Sequence, residues 1–376
     1  MINDALNNRL MDQRDRAFFV RLVHGSLEYQ IQSDYIINQF SKVAVDKMKP
    51  LIRNVLRMSV YQIMHMDKIP DSAACSEAVN LVKKTSFRNL AGFVNGVLRT
   101  ISREKDRIDL SERGVKYSVR PWMLGLLDDT IGADNTDAFL AYSLSDHKTS
   151  VRACGKLIEP QYFDPSGIYD DMYFVKDIAS LTSLRDWREG RIIVQDISSS
   201  LPVRMAQLRE NDIVFDVCAA PGGKAVQAAQ MLNGTGHVYA FDISEKKIGL
   251  INENIQRLGL RNISAEVRDA SVFYPELSRK ADVVIADLPC SGIGTIAHKP
   301  DIKNRLTPED CIGLAGLQKK ILENVKKYVK PGGKLVYSTC TLDHFENQDN
   351  LRAPLNMQIL PGAVPQDGFY ITVLEV

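Results

Sequence analysis

The sequence has no apolar run near the roughly 18 residues that a membrane-spanning helix needs. Its first ten residues, MINDALNNRL, are polar and lack the apolar core of a secretion signal. These two absences predict a cytoplasmic protein without a membrane partner. With 376 residues, 45% hydrophobic and 25% charged, the chain has the composition of an ordinary globular protein, and its length predicts two or three domains.

Cysteine is scarce, and no two cysteines stand at C-x-x-C spacing. The six are Cys75, Cys154, Cys218, Cys290, Cys311 and Cys340. None lies beside a cluster of histidines, so we expect no zinc site and no other metal. Because the cytoplasm is a reducing compartment, we expect no disulfide bonds either.

Net charge is also small, at +1, but it is unevenly distributed. Residues 1–120 contain 20 Lys and Arg against 13 Asp and Glu, a surplus of 7, and the remainder contains 27 against 33, a deficit of 6. The front of the chain is therefore a candidate anion-binding surface. A solvent-exposed helical face would explain the same surplus of positive charge. Charge alone does not decide between an anion-binding surface and such a face.

The first part of the chain, up to about residue 104, has the apolar periodicity of helices. The clearest series is Leu51, Val55, Leu56, Val60 and Ile63. Asp71 and Ser72 follow Pro70 and predict a helix start. We therefore predict an all-α domain in residues 1–125. Residues 126–200 mix short apolar stretches with turn residues and are interpreted as a small α+β connector.

From residue 211 onward, short β-rich runs alternate with helical patterns. The predicted strands are residues 213–217, 237–242, 263–267, 282–287 and 334–338. This alternation predicts a parallel sheet covered by helices, an α/β domain in residues 201–376. Ligands bind beyond the carboxyl ends of such strands. The residues found there are Cys218 to Lys224, Asp242, Asp269, Asp287, Cys290 and Cys340.

The segment after the first of these strands reads CAAPGGK and has neither the P-loop spacing nor the G-x-G-x-x-G fingerprint. Asp242 is placed to accept hydrogen bonds from ribose hydroxyls, and Asp269 from an adenine amino group. A nucleoside ligand bound without a phosphate site suggests S-adenosylmethionine. Helix capping or turn formation is the alternative for each aspartate. The predicted cofactor-binding residues are Cys218, Ala219, Ala220, Pro221, Gly222, Gly223, Lys224, Asp242, Asp269 and Asp287.

Three motifs together make a specific resemblance. They are CAAPGGK, then DLPCSGIG followed by HKPDIK, then YSTC followed by EN. This set resembles the RNA cytosine-C5 methyltransferases, and the front segments RDRAFFVRLVHG, AACSEAVNLVKKT and FVNGVLRTI resemble a NusB-like domain. The combination is similar to the RsmB family, also called Sun or Fmu, of bacterial small-subunit rRNA methyltransferases. The resemblance covers residues 9 to about 120 and 191–347.

The resemblance implies a fold and a chemistry. It implies a NusB-like domain, a connector that begins the methyltransferase region, and a Rossmann-like class I domain that uses S-adenosylmethionine. Cys340 would be the nucleophile that adds to C6 of cytosine, and Cys290 would assist product release. Asp287 would bind the N3 edge and share a proton, and it could also contact the cofactor.

Other roles for the cysteines remain open at this point. Cys340 and Cys290 could be buried packing residues. DNA cytosine methyltransferases use a Pro-Cys motif as the nucleophile, so the roles of Cys290 and Cys340 could be exchanged. The remaining cysteines, Cys75, Cys154, Cys218 and Cys311, are interpreted as packing residues.

The implied substrate is 16S rRNA of the small ribosomal subunit, in a loop from which a base can leave its stack. The basic front domain would dock this RNA through phosphate contacts. A monomer is expected. Two alternatives are a tRNA substrate and a non-catalytic RNA-binding or assembly factor that retains the fold.

The sequence also departs from the family pattern. A first helix is expected to be missing or reduced, and segments 153–190 and 348–362 are shorter than usual. Arg152 matches the Arg of an Arg-Val-Asn element, but Ala153 and Cys154 follow it. We expect these departures to affect RNA positioning more than the cofactor pocket.

Overall fold

The computed structural model describes residues 12–351, 353–362 and 364–376. Residue contacts divide the chain into two compact units. The first contains residues 1–125 and the short segment Lys299–Arg305, and the second contains Leu126–His298 and Leu306–Val376. The expectation about a missing first helix concerns residues that lie outside the described ranges. No helix within those ranges is long and apolar enough to cross a membrane.

The first unit is helical, as the periodicity predicts. Its helices are α1 (Gln13–Glu28), α2 (Gln30–Phe40), α3 (Pro50–His65), α4 (Asp71–Lys83), α5 (Ala91–Glu104) and α6 (Arg113–Lys116). Helix α4 begins at Asp71, and the Asp71 carboxylate pairs with Lys105 rather than capping the helix. The core is aliphatic and includes Ile36, Leu56, Val60, Leu98 and Ile101, each at most 1% exposed.

A segment from late in the sequence completes this helical unit. It is Lys299–Arg305, which follows the Cys290 motif in the chain. Asn304 Nδ2 donates to the Leu27 carbonyl at 2.7 Å, and Lys303 Nζ donates to the Tyr117 carbonyl at 3.4 Å. Lys303 is 1% exposed, and burial lowers its pKa to about 8 although the Glu28 charge opposes the shift.

The second unit begins with two helices and a small antiparallel sheet. The helices are α7 (Pro121–Ile131), whose first residues belong to the helical unit, and α8 (Ala133–Ser143). The sheet consists of β1 (Ser150–Ala153), β2 (Phe163–Pro165), β3 (Met172–Val175) and β4 (Ile192–Val194), in the order β2-β3-β1-β4, and α9 (Arg185–Arg188) precedes β4. Each strand spans three or four residues, so the α+β character of this region rests on short elements.

The remainder of the second unit is built on a seven-stranded sheet. Its strands are β5 (Ile213–Asp216), β6 (His237–Asp242), β7 (Ile263–Val267), β8 (Ala281–Asp287), β9 (Val329–Thr339), β10 (Leu355–Ile359) and β11 (Phe369–Glu375). The order is β10-β11-β9-β8-β5-β6-β7. Strands β5 to β9 are parallel, and β11 and β10 are antiparallel. The helices of this part are α10 (Ile197–Ala206), α11 (Gly223–Met231), α12 (Glu245–Arg257) and α14 (Pro308–Val325). Between α12 and α14 the chain also forms α13 (Ile302–Arg305), which belongs to the helical unit.

Residues along the central strands alternate between the two faces of this sheet. Val214 and Val283 pack with α10, α11 and α12, whereas Phe215 and Val284 pack with α14. After β5 the chain proceeds outward to β6 and β7 and then returns to place β8 on the other side of β5. Such a change of direction opens a crevice at the carboxyl ends of the two strands, where ligands of this fold bind.

Candidate active site

The loop after β5 turns sharply at the crevice between β5 and β8. Gly222 has a φ of +107°, a left-handed conformation that glycine adopts without strain, and α11 begins at the next residue. At the end of β5, Asp216 is 1% exposed, and its carboxylate oxygens make no hydrogen bond of good geometry among the described residues, although the Cys218 backbone N–H is close enough to favour the ionised form. Burial raises the pKa of Asp216 to about 7, although the Lys224 ammonium opposes the shift.

Lys224, the last residue of this loop motif, reaches across the crevice to β8. Its Nζ lies 2.7 Å from Asp287 Oδ2 and 2.8 Å from Ser199 Oγ, and Ser338 Oγ donates to Asp287 Oδ1 at 2.7 Å. Burial lowers the pKa of Lys224, but the charges of Asp287, Asp216 and Cys340 outweigh it and raise the pKa above its ordinary value. The side chains of Lys224 and Asp287 are 11% and 27% exposed. The structure thus holds a half-buried ion pair where β5 and β8 meet.

Cys290 and Cys340 lie side by side, although 50 residues separate them. Their sulfurs are 3.3 Å apart, within hydrogen-bond distance for thiols. The hydrogen bond with Cys340, burial, and the charges of Glu346 and Asp287 raise the pKa of Cys290 well above its ordinary value. Either thiol can be the donor of this hydrogen bond.

The two predicted nucleoside-binding aspartates follow neighbouring parallel strands. Asp242 ends β6, is 4% exposed, and accepts hydrogen bonds from Ala220 N at 3.0 Å and from Lys247 Nζ at 3.0 Å. Asp269 lies two residues after β7 and accepts from Ser271 N at 2.8 Å. Lys247 is half-exposed, so it can leave Asp242 when a ribose hydroxyl approaches.

Comparison with known proteins gives matches to both parts of the chain. The family model described as 16S rRNA methyltransferase RsmB/F matches residues 203–358, and that of the NusB family matches residues 1–103. A protein of Bacillus subtilis (strain 168) named probable ribosomal RNA small subunit methyltransferase B is 34% identical over 369 residues, which are 92% of this chain and 81% of that protein. The chain belongs to the RsmB/F methyltransferase family.

Further relatives of this RsmB/F protein extend the match. The ribosomal RNA small subunit methyltransferase B of Vibrio vulnificus (strain YJ016) is 28% identical over 96% of this chain and 91% of its own length. The crystal structure of PH0851 has a TM-score of 0.83 at 23% identity and covers 98% of this chain and 91% of that one. The crystal structure of NSun6 from Pyrococcus horikoshii with SFG has a TM-score of 0.60 at 19% identity and covers 68% of this chain and 98% of that one. These two structures share the fold.

The comparisons confirm several of the sequence predictions. They confirm the RsmB family assignment and the dependence on S-adenosylmethionine. They also confirm an all-α NusB-like domain followed by a Rossmann-like methyltransferase domain. The crevice fits this cofactor: Asp216 offers buried carboxylate oxygens to a cationic group, and Asp242 and Asp269 offer oxygens to hydroxyl and amino groups. The roles of the individual site residues stay predictions.

Some residues of the RsmB/F site are missed by sequence reasoning. Asp216 is overlooked because it precedes the motif, and Ser199 and Ser338 are overlooked because their partners, Lys224 and Asp287, are 25 and 51 positions away. The signal for Asp216 is a lone acid that ends a buried apolar strand. An unpaired acid there is costly unless it has a partner or a ligand.

Three of the other cysteines and Arg152 lie in packed surroundings, whereas Cys154 is half-buried. Burial raises the pKa of the Cys75, Cys218 and Cys311 thiols, which agrees with the interpretation that they are packing residues. Arg152 is 4% exposed and donates to Gln195 and Gln230, both at 2.7 Å. It therefore joins the segment before α10 to the C-terminal end of α11.

Proposed function

We propose that this RsmB/F protein transfers a methyl group to C5 of a cytosine in 16S rRNA through a covalent adduct between Cys340 and C6 of the base. S-adenosylmethionine supplies the methyl group. Cytosine C5 is a poor nucleophile in the aromatic ring. Addition of the Cys340 sulfur to C6 makes C5 enamine-like, so that it can accept the methyl group.

The observation that carries the proposal is the 3.3 Å approach of the Cys290 and Cys340 sulfurs. A free cysteine is ionised to only a few per cent at neutral pH, and a donated hydrogen bond stabilises a thiolate. Either sulfur can donate in this pair, and a Cys290 thiol that donates would stabilise a Cys340 thiolate. This supports Cys340 as the sulfur that attacks C6.

Cys290 is assigned to product release, either as a base in its thiolate form or through an intermediary that takes the C5 proton. After methylation, C5 carries both the new methyl group and its original hydrogen. Removal of that proton returns the C–H electrons to the C5–C6 double bond, and the Cys340 thiolate leaves C6. The position of Cys290 next to the Cys340 sulfur supports this role.

Asp287 and Lys224 are proposed to handle the polar edge of the base. Addition at C6 places negative charge on the ring near N3, and a paired carboxylate and ammonium can share a proton there. The 2.7 Å contact between Lys224 Nζ and Asp287 Oδ2 supports this assignment. The proposed cofactor contacts are the loop Cys218 to Lys224 with Asp216, Asp242, Asp269 and Asp287.

The helical unit is proposed to dock the RNA. A groove of about 510 Å³ lies in it along α4 and α5, lined among others by Asn80, Asn95, Arg99 and Arg103. Arginine and asparagine side chains donate hydrogen bonds to phosphate and sugar oxygens. The names of the relatives favour small-subunit rRNA over tRNA. The grouping of the two cysteines with Lys224 favours an enzyme over a scaffold.

The test is covalent trapping on 16S rRNA that contains 5-fluorocytidine, with S-adenosylmethionine present. Fluorine at C5 cannot leave as a proton does, so the adduct accumulates and shifts the protein on a denaturing gel. We expect a shifted band from the wild type and none from Cys340→Ala. We expect Cys290→Ala to form a persistent adduct even on ordinary rRNA, because release is impaired.

Each arm of this experiment has a contrary result. An undiminished adduct with Cys340→Ala would refute the nucleophile assignment, and normal turnover by Cys290→Ala would refute the release role. A parallel arm with 5-fluorocytidine tRNA decides the substrate: a stronger adduct there would favour tRNA. A folded wild-type protein that forms no adduct with either RNA would favour the assembly-factor reading.

A further inference from the structure

The loop after Cys340 contains two adjacent buried residues, Glu346 and Asn347, to which the chemistry above gives no role. Both are 0% exposed. A buried carboxylate next to a buried amide is unfavourable unless both make good hydrogen bonds. The partners that they make therefore show what the pair is built to hold.

Glu346 holds the backbone around Cys290. Its Oε2 accepts from Ser291 N at 3.0 Å and from Gln318 Nε2 at 2.8 Å. Gln318 Nε2 also donates to the Pro289 carbonyl at 2.8 Å. The peptide groups on both sides of Cys290 are thus fixed by one carboxylate and one amide that bind each other.

Asn347 holds the chain on both sides of Cys340. Its Oδ1 accepts from Thr339 Oγ1 at 2.6 Å, and its Nδ2 donates to the Thr341 carbonyl at 3.0 Å. A further bond joins the two cysteine loops directly, because Ser291 Oγ and Thr341 Oγ1 are 2.6 Å apart.

We propose that Glu346 and Asn347 are positioning residues that together set the distance between the Cys290 and Cys340 sulfurs. Glu346 fixes one cysteine loop, Asn347 fixes the other, and the peptide bond between them joins the two supports. The catalytic meaning of this distance rests on the proposed function, but the distance itself does not.

The nearby cysteine and acid do not make this cluster a separate ligand site. Cys311, Asp343 and Glu346 place their ligand atoms within 4.8 Å of one another. Glu346 Oε2 already has two protein donors, and Ser291 N approaches Oε1 at 3.3 Å. The Glu346 carboxylate is accounted for by protein hydrogen bonds.

The test measures the sulfur distance chemically, without RNA. Diamide oxidises two neighbouring thiols to a disulfide and is itself reduced to the hydrazine. Peptide mapping by mass spectrometry follows formation of the Cys290–Cys340 disulfide. We expect Glu346→Ala and Asn347→Ala to slow disulfide formation by at least about tenfold. Losing a hydrogen bond to a charged or buried group lowers the population of the arrangement with close sulfurs by about that factor, and the oxidation rate follows this population. Glu346→Gln keeps an acceptor oxygen and should remain near the wild-type rate.

Two controls separate positioning from a general loss of stability. Asn262→Ala removes a half-buried amide elsewhere in the same unit, whose Nδ2 donates to the Ala229 carbonyl at 2.9 Å, and should leave the oxidation rate unchanged. Where Glu346→Ala does not fold, Thr341→Val removes the hydroxyl bridge while keeping the side-chain volume, and it should slow oxidation as well.

The methylation assay then connects the distance with catalysis. We expect Glu346→Ala to lower kcat with little change in the KM for rRNA, and Glu346→Gln to restore kcat. A folded Glu346→Ala variant that forms the disulfide at the wild-type rate would overturn the inference, as would wild-type protein that forms no such disulfide. Failure of the proposed function is distinguishable, because it would leave the wild type without an RNA adduct while the oxidation rates still differ among the variants.

Discussion

Replacing Lys224 with methionine should destabilise the second unit, called the methyltransferase unit below. The substitution removes a largely buried cation and keeps most of the side-chain volume. Asp287 then loses its 2.7 Å partner, and the buried Asp216 loses the nearest charge that favours its ionised form. Removing one partner of a buried ion pair costs about 3–5 kcal/mol. Asp287 is 27% exposed, so we expect the lower end of that range.

The magnitude translates into a melting temperature. One kcal/mol shifts the melting temperature by about 2–4 °C for a domain of 150–250 residues, so a loss of about 3 kcal/mol predicts a shift of about 6–12 °C. Lys176→Met is the matched control. It also removes a lysine paired with an aspartate of the same unit, Asp164, but the two side chains are 47% and 49% exposed, and a surface pair contributes about 0–1 kcal/mol.

The effect should depend on pH in a defined direction. The pKa of Asp216, about 7, lies above its unfolded value of 3.8, so the folded state holds the proton more tightly. Its contribution to stability is therefore present below about pH 4 and is lost as pH rises through 7. Without Lys224 this pKa rises further, so the difference between Lys224→Met and the wild type should be larger at pH 8 than at pH 5.

Tryptophan fluorescence gives a readout specific to this unit. The chain has two tryptophans, Trp122 in the helical unit and Trp187 in the methyltransferase unit. In a Trp122→Phe background the signal comes from Trp187, which packs against the Arg257 guanidinium at 4.1 Å. Thermal unfolding is then recorded without cofactor at both pH values.

A double variant provides the decisive comparison. Lys224→Met combined with Asp287→Asn leaves no uncompensated charge in the pair, so we expect it to melt above Lys224→Met alone. Lys224→Met melting within about 2 °C of the wild type at pH 8 would refute the reasoning, since even 1 kcal/mol should shift it that far. An equal shift for Lys176→Met would refute it too.

Two further predictions follow from the site. A Cβ on Gly294 would lie 2.0 Å from the Gly368 carbonyl oxygen, so Gly294→Ala should lower the melting temperature and the methylation rate, whereas Gly313→Ala in α14, with nothing within 4 Å, should stabilise by about 0.5–1 kcal/mol. Equal melting of the two variants would contradict this. Asp242→Ala should raise the KM for S-adenosylmethionine at least about tenfold, as expected for the loss of hydrogen bonds to a charged group. An unchanged KM would assign Asp242 to loop structure instead.

The sequence predicts the main sheet closely because each strand carries its own signal. The runs at 213–217, 237–242 and 263–267 match β5, β6 and β7 to within a residue. The helices of the first unit also match, since their apolar periodicity is strong. Both kinds of pattern are local, and the burial of one face or one strand is enough to produce them.

Other parts could not be predicted because their signals are short or distant. The strands of the small sheet span three or four residues, too few for a clear alternation. Strand β10 begins with three exposed residues and offers no apolar run. In the site, the motif positions indicate which residues gather, but not that Lys224 pairs with Asp287 or that Glu346 binds the Cys290 loop. Such pairings connect residues more than 50 positions apart.

The contribution of Lys299–Arg305 to the helical unit makes the catalytic region unsuitable for isolation by simple truncation. A fragment that begins at residue 126 would retain this segment but lose the Tyr117 carbonyl and the Leu27 carbonyl that its side chains bind. Lys303, 1% exposed in the whole protein, would lose the Tyr117 carbonyl and the Glu28 charge that lie near its ammonium. The helical region is therefore a structural requirement of the chain that follows Cys290.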